Sequence, residues 1–181
     1  MNPASPTSLS SEELLPLVYE QLKQLARRRL SAEFNNQSLQ ATDLVHEAYL
    51  RLQKKNVSVR WNGLNHFFGA ASIAMRRILV ERARRKKTAK RGGGVVQKSA
   101  TPIEVIESKM ESDEVDVLAL DDAIKTLADR NRRVAKLVEL RFFLGMTIRE
   151  AAEVLEVSTS TAELDWRYAR SFLMLELSSH C

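Results

Sequence analysis

Residues 147–173 read TIREAAEVLEVSTSTAELDWRYARSFL. Thr147 followed three positions later by Glu150 forms a capping box: the hydroxyl accepts from the backbone N–H of Glu150 and the carboxylate accepts from that of Thr147, so a helix opens here. Its inner positions are Ile148, Ala151, Ala152 and Leu155. That helix is about two turns long, because Glu156 and Val157 leave room only for a tight connection before Ser158, which is suited to cap a second helix. The second helix buries Ala162, Trp166, Ala169 and Leu173, at spacing i, i+4, i+7, i+11. Alanines where the two helices cross let them approach closely. A short helix, a turn and a longer amphipathic helix with a polar first turn are the parts of a helix-turn-helix, which seats its second helix in the major groove. Ser158, Thr159, Ser160, Thr161, Glu163 and Arg167 are then the residues turned to DNA. A plain helical hairpin fits the same pattern. From Leu118 onward there are 9 basic and 10 acidic side chains, so this half is expected to bind DNA only weakly by itself, with few charges to spare for phosphates.

Outward from this stretch the chain reads as all-α. It holds 6 Gly and 4 Pro in 181 residues, and apolar residues recur at helical spacing without a useful run of strand-like alternation. Leu14, Leu15, Val18, Leu22 and Leu25 mark one face of a first helix, starting near Pro16 and ending in Arg27, Arg28 and Arg29. Thr42 and Asp43 are candidate caps of a second helix with inner face Leu44, Val45, Ala48 and Leu52. Asn65 is the candidate cap of a long third helix, with Phe67, Phe68, Ala71, Met75, Ile78, Leu79 and Arg82 inward and Ser72, Arg76, Arg77 and Arg84 outward. Gly92, Gly93 and Gly94 end it, since three glycines in succession oppose helix continuation. The polar, acidic residues that follow read as a solvated linker. The expected organisation is thus two small helical domains, 1–94 and 118–181, joined by a flexible acidic linker at 95–117, the second domain carrying the helix-turn-helix.

The charge is unevenly divided: residues 1–100 carry 18 Lys/Arg against 7 Asp/Glu, and residues 101–181 carry 10 against 16. A basic first half implies a polyanionic partner, with nucleic acid the leading candidate. Between Arg76 and Lys98 there are 10 basic residues and one acid, Glu81, preceded by Trp61, Asn62, His66, Phe67 and Phe68. Aromatic faces that take unstacked bases, beside cations that follow the backbone, suit opened strands. Phe67 and Phe68 also lie on the core stripe, so packing claims at least one of them, whereas Trp61 sits in a polar connection. Cys181 is the only cysteine, which excludes an internal disulfide and fits a reducing compartment. No apolar run reaches the roughly 18 residues of a membrane span, and Met1 to Ser11 lack a signal-peptide core; a cytoplasmic protein without a membrane partner is expected.

These segments resemble the bacterial sigma factors of the extracytoplasmic-function (ECF) type, over nearly the whole chain. Residues 42–52, TDLVHEAYLRL, look like the family's core-binding segment, with His46 in place of the usual Gln. The resemblance implies that Asp43, His46, Glu47 and Arg51 contact RNA polymerase core. Residues 74–84, AMRRILVERAR, look like the segment that recognises and melts the downstream promoter element, with Arg77 where Asn is common and Glu81 where Asp is. Trp61, Asn62, His66, Arg76, Arg77 and Arg84 would serve that element. Residues 144–173 look like the family's helix-turn-helix for the upstream element, with Glu156 replacing a frequent turn glycine. The implied activity is promoter-specific transcription initiation with polymerase core and promoter DNA as partners, and an anti-sigma factor as an admissible third.

The competing readings are an enzyme and a stand-alone helix-turn-helix regulator. His46-Glu47 opens like a zinc-protease helix, but Leu50 stands where the second His is required, and the triple glycine lacks the Lys-Ser/Thr of a phosphate loop. No catalytic group, metal or cofactor is expected. A stand-alone regulator needs a dimerisation or sensor element, and none is visible in the sequence.

Overall fold

The computed structural model describes residues 18–25, 41–55, 61–89 and 117–179. Seven helices make up the regular structure among them: α1 (residues 18–25), α2 (Ala41–Lys55), α3 (Gly63–Ala89), α4 (Val117–Arg130), α5 (Arg132–Leu144), α6 (Ile148–Leu155) and α7 (Thr159–Ser179). The all-α expectation holds. The start near Pro16, the arginines at 27–29, the triple glycine, Lys98 and the linker up to residue 116 lie outside the described residues, as do His180 and Cys181.

The apolar stripes named from periodicity are the buried ones. Val18, Leu22 and Leu25 of α1, Leu44, Val45, Ala48 and Leu52 of α2, and Phe67, Phe68, Ala71, Met75, Ile78 and Leu79 of α3 all lie in the core. Two helix starts differ from expectation. Helix α2 begins at Ala41, which puts Thr42 and Asp43 inside its first turn, where the Asp43 carboxylate meets the positive end of the helix dipole. Helix α3 begins at Gly63, so Asn65 does not cap it; its amide instead reaches another helix, as described below.

Helix α3 is the axis of the molecule. It packs against α2 on one flank and against α4, α5 and α6 on the other, while α7 closes over α4, α5 and α6. The two halves of the chain therefore touch, and their buried apolar residues form one continuous cluster. Because α3 packs on two flanks it has two inward stripes. Ser72 and Arg76, expected outward, lie on the second: Ser72 is buried and only 12% of the Arg76 side chain is exposed.

Local signals set the ends of α5. The Asn131 side chain accepts from the Val134 N–H at 3.1 Å, and Gly145 adopts the left-handed conformation (φ 70°, ψ 26°) that a residue with a Cβ avoids, closing the helix with bonds to Arg141 and Leu140 carbonyls.

Candidate nucleic-acid interface

The helix caps read from the sequence at the starts of α6 and α7 are present. Thr147 Oγ1 accepts from the Glu150 N–H at 3.2 Å, and Glu150 Oε2 accepts from the Thr147 N–H at 2.7 Å, completing the capping box. Glu156 ends α6 in the left-handed region (φ 57°, ψ 40°). A residue with a Cβ pays roughly 1–2 kcal/mol for that conformation, offset here by the turn bonds Glu156 N–H to Glu153 O and Val157 N–H to Ala152 O. Ser158 Oγ accepts from the Thr161 N–H at 3.1 Å and starts α7. Ala162, Trp166, Ala169 and Leu173 are buried beneath it. Thr159, Ser160, Glu163 and Arg167 are exposed on its first turns, with Ser158 at the cap and Thr161 half-buried. The orientation of α7 is fixed from behind: Arg133 of α5 clamps Asp165 through Nε (2.7 Å) and Nη2 (3.0 Å), and the Arg141 guanidinium lies 4.1 Å from the centre of the Trp166 ring.

On α2 the four residues under consideration divide into two pairs. Asp43 and His46 are exposed. Glu47 and Arg51 are half-buried and tied to α3: Arg51 donates to Glu81 from both Nη1 (2.9 Å) and Nη2 (2.7 Å) and to Glu47 (2.8 Å), while Arg82 donates to Glu47 (2.6 Å). Hydrogen bonding from Arg51 holds the Glu81 carboxyl below its ordinary value. Burial alone would raise that of Glu47, but its bonds to Arg82 and Arg51 outweigh burial and lower it. This network aligns α2 along α3 and leaves Asp43 and His46 clear of it.

At the start of α3, Trp61 is buried, 2% exposed, with its ring edge-on to Phe67 at 5.3 Å and to His66 at 5.2 Å. His66 is exposed and its Nδ1 accepts from the Asn62 N–H at 3.4 Å. The structure thus puts Asn62 and His66 on the surface over a tryptophan base. Farther along α3, Arg77 and Arg84 are exposed and about two turns apart.

The second stripe of α3 is polar, and it is the part the sequence did not disclose. Asn65 donates to the Glu153 carbonyl (3.2 Å) and the Glu156 side chain (3.4 Å). The ammonium of Lys136 on α5 is bonded to the Gly69 carbonyl, Ser72 Oγ (3.2 Å) and Glu139 (3.3 Å); burial pushes its pKa down. Arg76 donates to the Asp121 carboxylate (2.7 Å), to the Asp121 carbonyl (2.8 Å) and to Glu139. Arg76, expected to face DNA, is therefore engaged by α4 and α5. Asp121 is buried, which alone would raise its carboxyl, yet hydrogen bonds from Lys125 and Arg76 hold it below its ordinary value.

These depressed carboxyls set a pH dependence. A carboxylate bound more tightly to its proton in the unfolded than in the folded chain adds stability above its ordinary value, 3.8 for Asp and 4.5 for Glu, and that stability disappears as pH falls through the lower folded value. Urea midpoints are expected to be flat from neutrality down to about pH 5 and to fall below it. Asp121→Asn should flatten part of the acid limb; equal acid sensitivity in both proteins would remove Asp121 from the account.

Among the described residues no group of three or more His, Cys, Asp or Glu could hold a metal ion, and no helix is long and apolar enough to cross a membrane. A family model described as ECF sigma factor matches residues 7–179. No curated protein and no solved structure matches the chain.

Proposed function

Because the chain belongs to the ECF sigma factor family and so acts in transcription initiation, we propose that it binds RNA polymerase core through α2 and reads a two-part promoter through the exposed residues of α3 and α7. The observation that carries this reading is that the match spans residues 7–179 and so takes in α2, α3 and the α6–α7 unit together. The upstream element falls to Ser160, Glu163 and Arg167, with Thr159 and Thr161 beside them. The downstream element and strand opening fall to Asn62, His66, Arg77 and Arg84, with Trp61 seating His66 from below. Arg76 joins them only if it leaves Asp121 and Glu139. Catalysis belongs to the polymerase. The test is transcription: core plus this chain should initiate at a cognate promoter that core alone ignores, and failure to co-elute with core would leave the stand-alone regulator as the better reading.

The division within α2 gives a sharper expectation. Asp43→Ala and His46→Ala remove exposed groups and should cost the fold little, no more than about 0.5 kcal/mol for His46 and up to about 1 kcal/mol for Asp43, which also loses its favourable place at the helix dipole, while weakening core binding by about tenfold or more if they sit at the centre of that interface. Glu47→Ala and Arg51→Ala should lower both affinity and stability, since they also unfasten α2 from α3. Calorimetry of each variant against core, paired with urea melts, separates the two effects; unchanged core affinity for both Asp43→Ala and His46→Ala would move the interface elsewhere.

A further inference from the structure

We propose that Arg133 of α5 is a positioning residue for upstream promoter recognition: by clamping Asp165 from behind it fixes the rotation of α7 about its own axis, and with it the alignment of Ser160, Glu163 and Arg167 to base edges. The inference rests on the proposed reading of the upstream element by α7.

The first support is placement. At 3.6 residues per turn, Glu163 and Arg167 lie about 40° apart around α7 and Asp165 lies about 160° from each. Glu163 and Arg167 are exposed accordingly, whereas the Asp165 side chain is only 11% exposed. A carboxylate on the buried side of a helix needs a cation, and Arg133 supplies it with one bond to each oxygen, from Nε at 2.7 Å and from Nη2 at 3.0 Å. The clamp and the reading residues are therefore on opposite sides of one rigid rod, and a turn that moves one moves the other.

The second support is direction. The apolar underside of α7 is built on Ala162, Trp166, Ala169 and Leu173. Apolar burial holds the helix down but is non-directional, and two of these four side chains are alanines with little to key into a neighbour. The Arg141 guanidinium, 4.1 Å from the centre of the Trp166 ring, sets a separation from the ring face and not an angle within its plane. A planar guanidinium that holds both oxygens of a carboxylate sets distance and angle together. With side chains included, the radius of a helix is about 5–6 Å, so a turn of about 20° displaces a reading atom by about 2 Å. That is enough to break a hydrogen bond, which needs a donor–acceptor distance of about 2.7–3.2 Å.

Full-length variants loaded on polymerase core test the clamp by competition between a promoter and a copy scrambled at its upstream element. Arg133→Ala is expected to lose about tenfold of the upstream preference, the worth of one misplaced base-edge pairing, with core affinity and strand opening at high concentration unchanged. Arg133→Lys keeps the charge without the fork and should lose nearly as much. The deciding variant is Arg133→Met/Asp165→Leu. Replacing both partners of a pair by apolar groups of similar shape is close to neutral, so its urea midpoint should return to that of the parent while its upstream preference stays about tenfold down. Recovery of preference together with stability would make the pair merely structural and overturns the proposal. Direct phosphate contact by Arg133 is separated by sign. In that case Asp165→Asn would free the cation and strengthen binding at every sequence, and Arg133→Ala would reduce the salt slope by about one. Either result overturns the proposal, which requires that Asp165→Asn lower the upstream preference and that the salt slope stay unchanged. The Ser160/Glu163/Arg167 triple alanine variant is the control: if it too keeps its preference, α7 does not read the upstream element and that reading falls with the clamp. If it loses preference while the Arg133 variants keep theirs, the clamp alone is overturned.

Discussion

Trp166→Ala is expected to lower the free energy of unfolding by about 3–5 kcal/mol. The indole is 2% exposed and lies under α7 between Ala162 and Ala169, residues too small to move into the space it would leave. Its loss creates a cavity where α7 meets the helices beneath and removes the aromatic face that lies against the Arg141 guanidinium at 4.1 Å. Trp166→Phe keeps an aromatic ring there and should cost less. If the underside of α7 loosens, the first turn carrying Ser160 and Glu163 loses its fixed pose, so the upstream recognition proposed for α7 should weaken even at temperatures where most molecules remain folded. Urea denaturation followed by circular dichroism, extrapolated linearly, measures the cost. A loss below about 1 kcal/mol would mean that Trp166 is not the anchor of α7.

That anchor was readable because its chemistry is repetitive. Ala162, Trp166, Ala169 and Leu173 recur at helical spacing, and the Thr147/Glu150 box marks the start of α6 by side-chain chemistry alone; both depend on residues within a few positions of each other. The second stripe of α3 has the same spacing, Asn65, Gly69, Ser72 and Arg76 at i, i+4, i+7 and i+11, but it is written in polar residues. Hydrophobic periodicity cannot find it, and its partners Asp121 and Glu139 lie 45 and 63 positions away. One signal was present: Glu139 stands between Val138 and Leu140 in a run of buried residues, and an acid so placed requires a cation. Which cation, out of 28 Lys and Arg, is settled only by tertiary packing. Trp61 misleads for the opposite reason. Its neighbours in sequence are polar, but its neighbours in space are His66 and Phe67. The tie of Glu47 and Arg51 to α3 likewise depends on Glu81 and Arg82, a helix away, so a face that looks free on one helix is half taken by another.

The two proposed reading surfaces should respond differently to substitution in the holoenzyme. Ser160, Glu163 and Arg167 are exposed on the first turns of α7, the part of a recognition helix that meets base edges, and each good base-edge pairing discriminates by about 1–3 kcal/mol. The triple alanine variant should therefore lose at least about 10²-fold of its preference for the upstream element over a scrambled one. It should keep its ability to open a promoter to which it is loaded at high concentration. Asn62→Ala and Arg77→Ala should do the reverse: Asn62 lies beside His66 above the buried Trp61, and Arg77 is exposed farther along α3, so their removal should reduce strand opening or change the downstream sequence preference while leaving the upstream preference intact. Trp61→Ala should weaken opening together with stability, because it removes the floor under His66 and a core ring at once. Permanganate reactivity of unpaired thymines reports opening, and competition between promoters altered at one element reports preference. Upstream variants that changed only opening, or downstream variants that changed only upstream preference, would refute the assignment of α7 and α3 to separate elements.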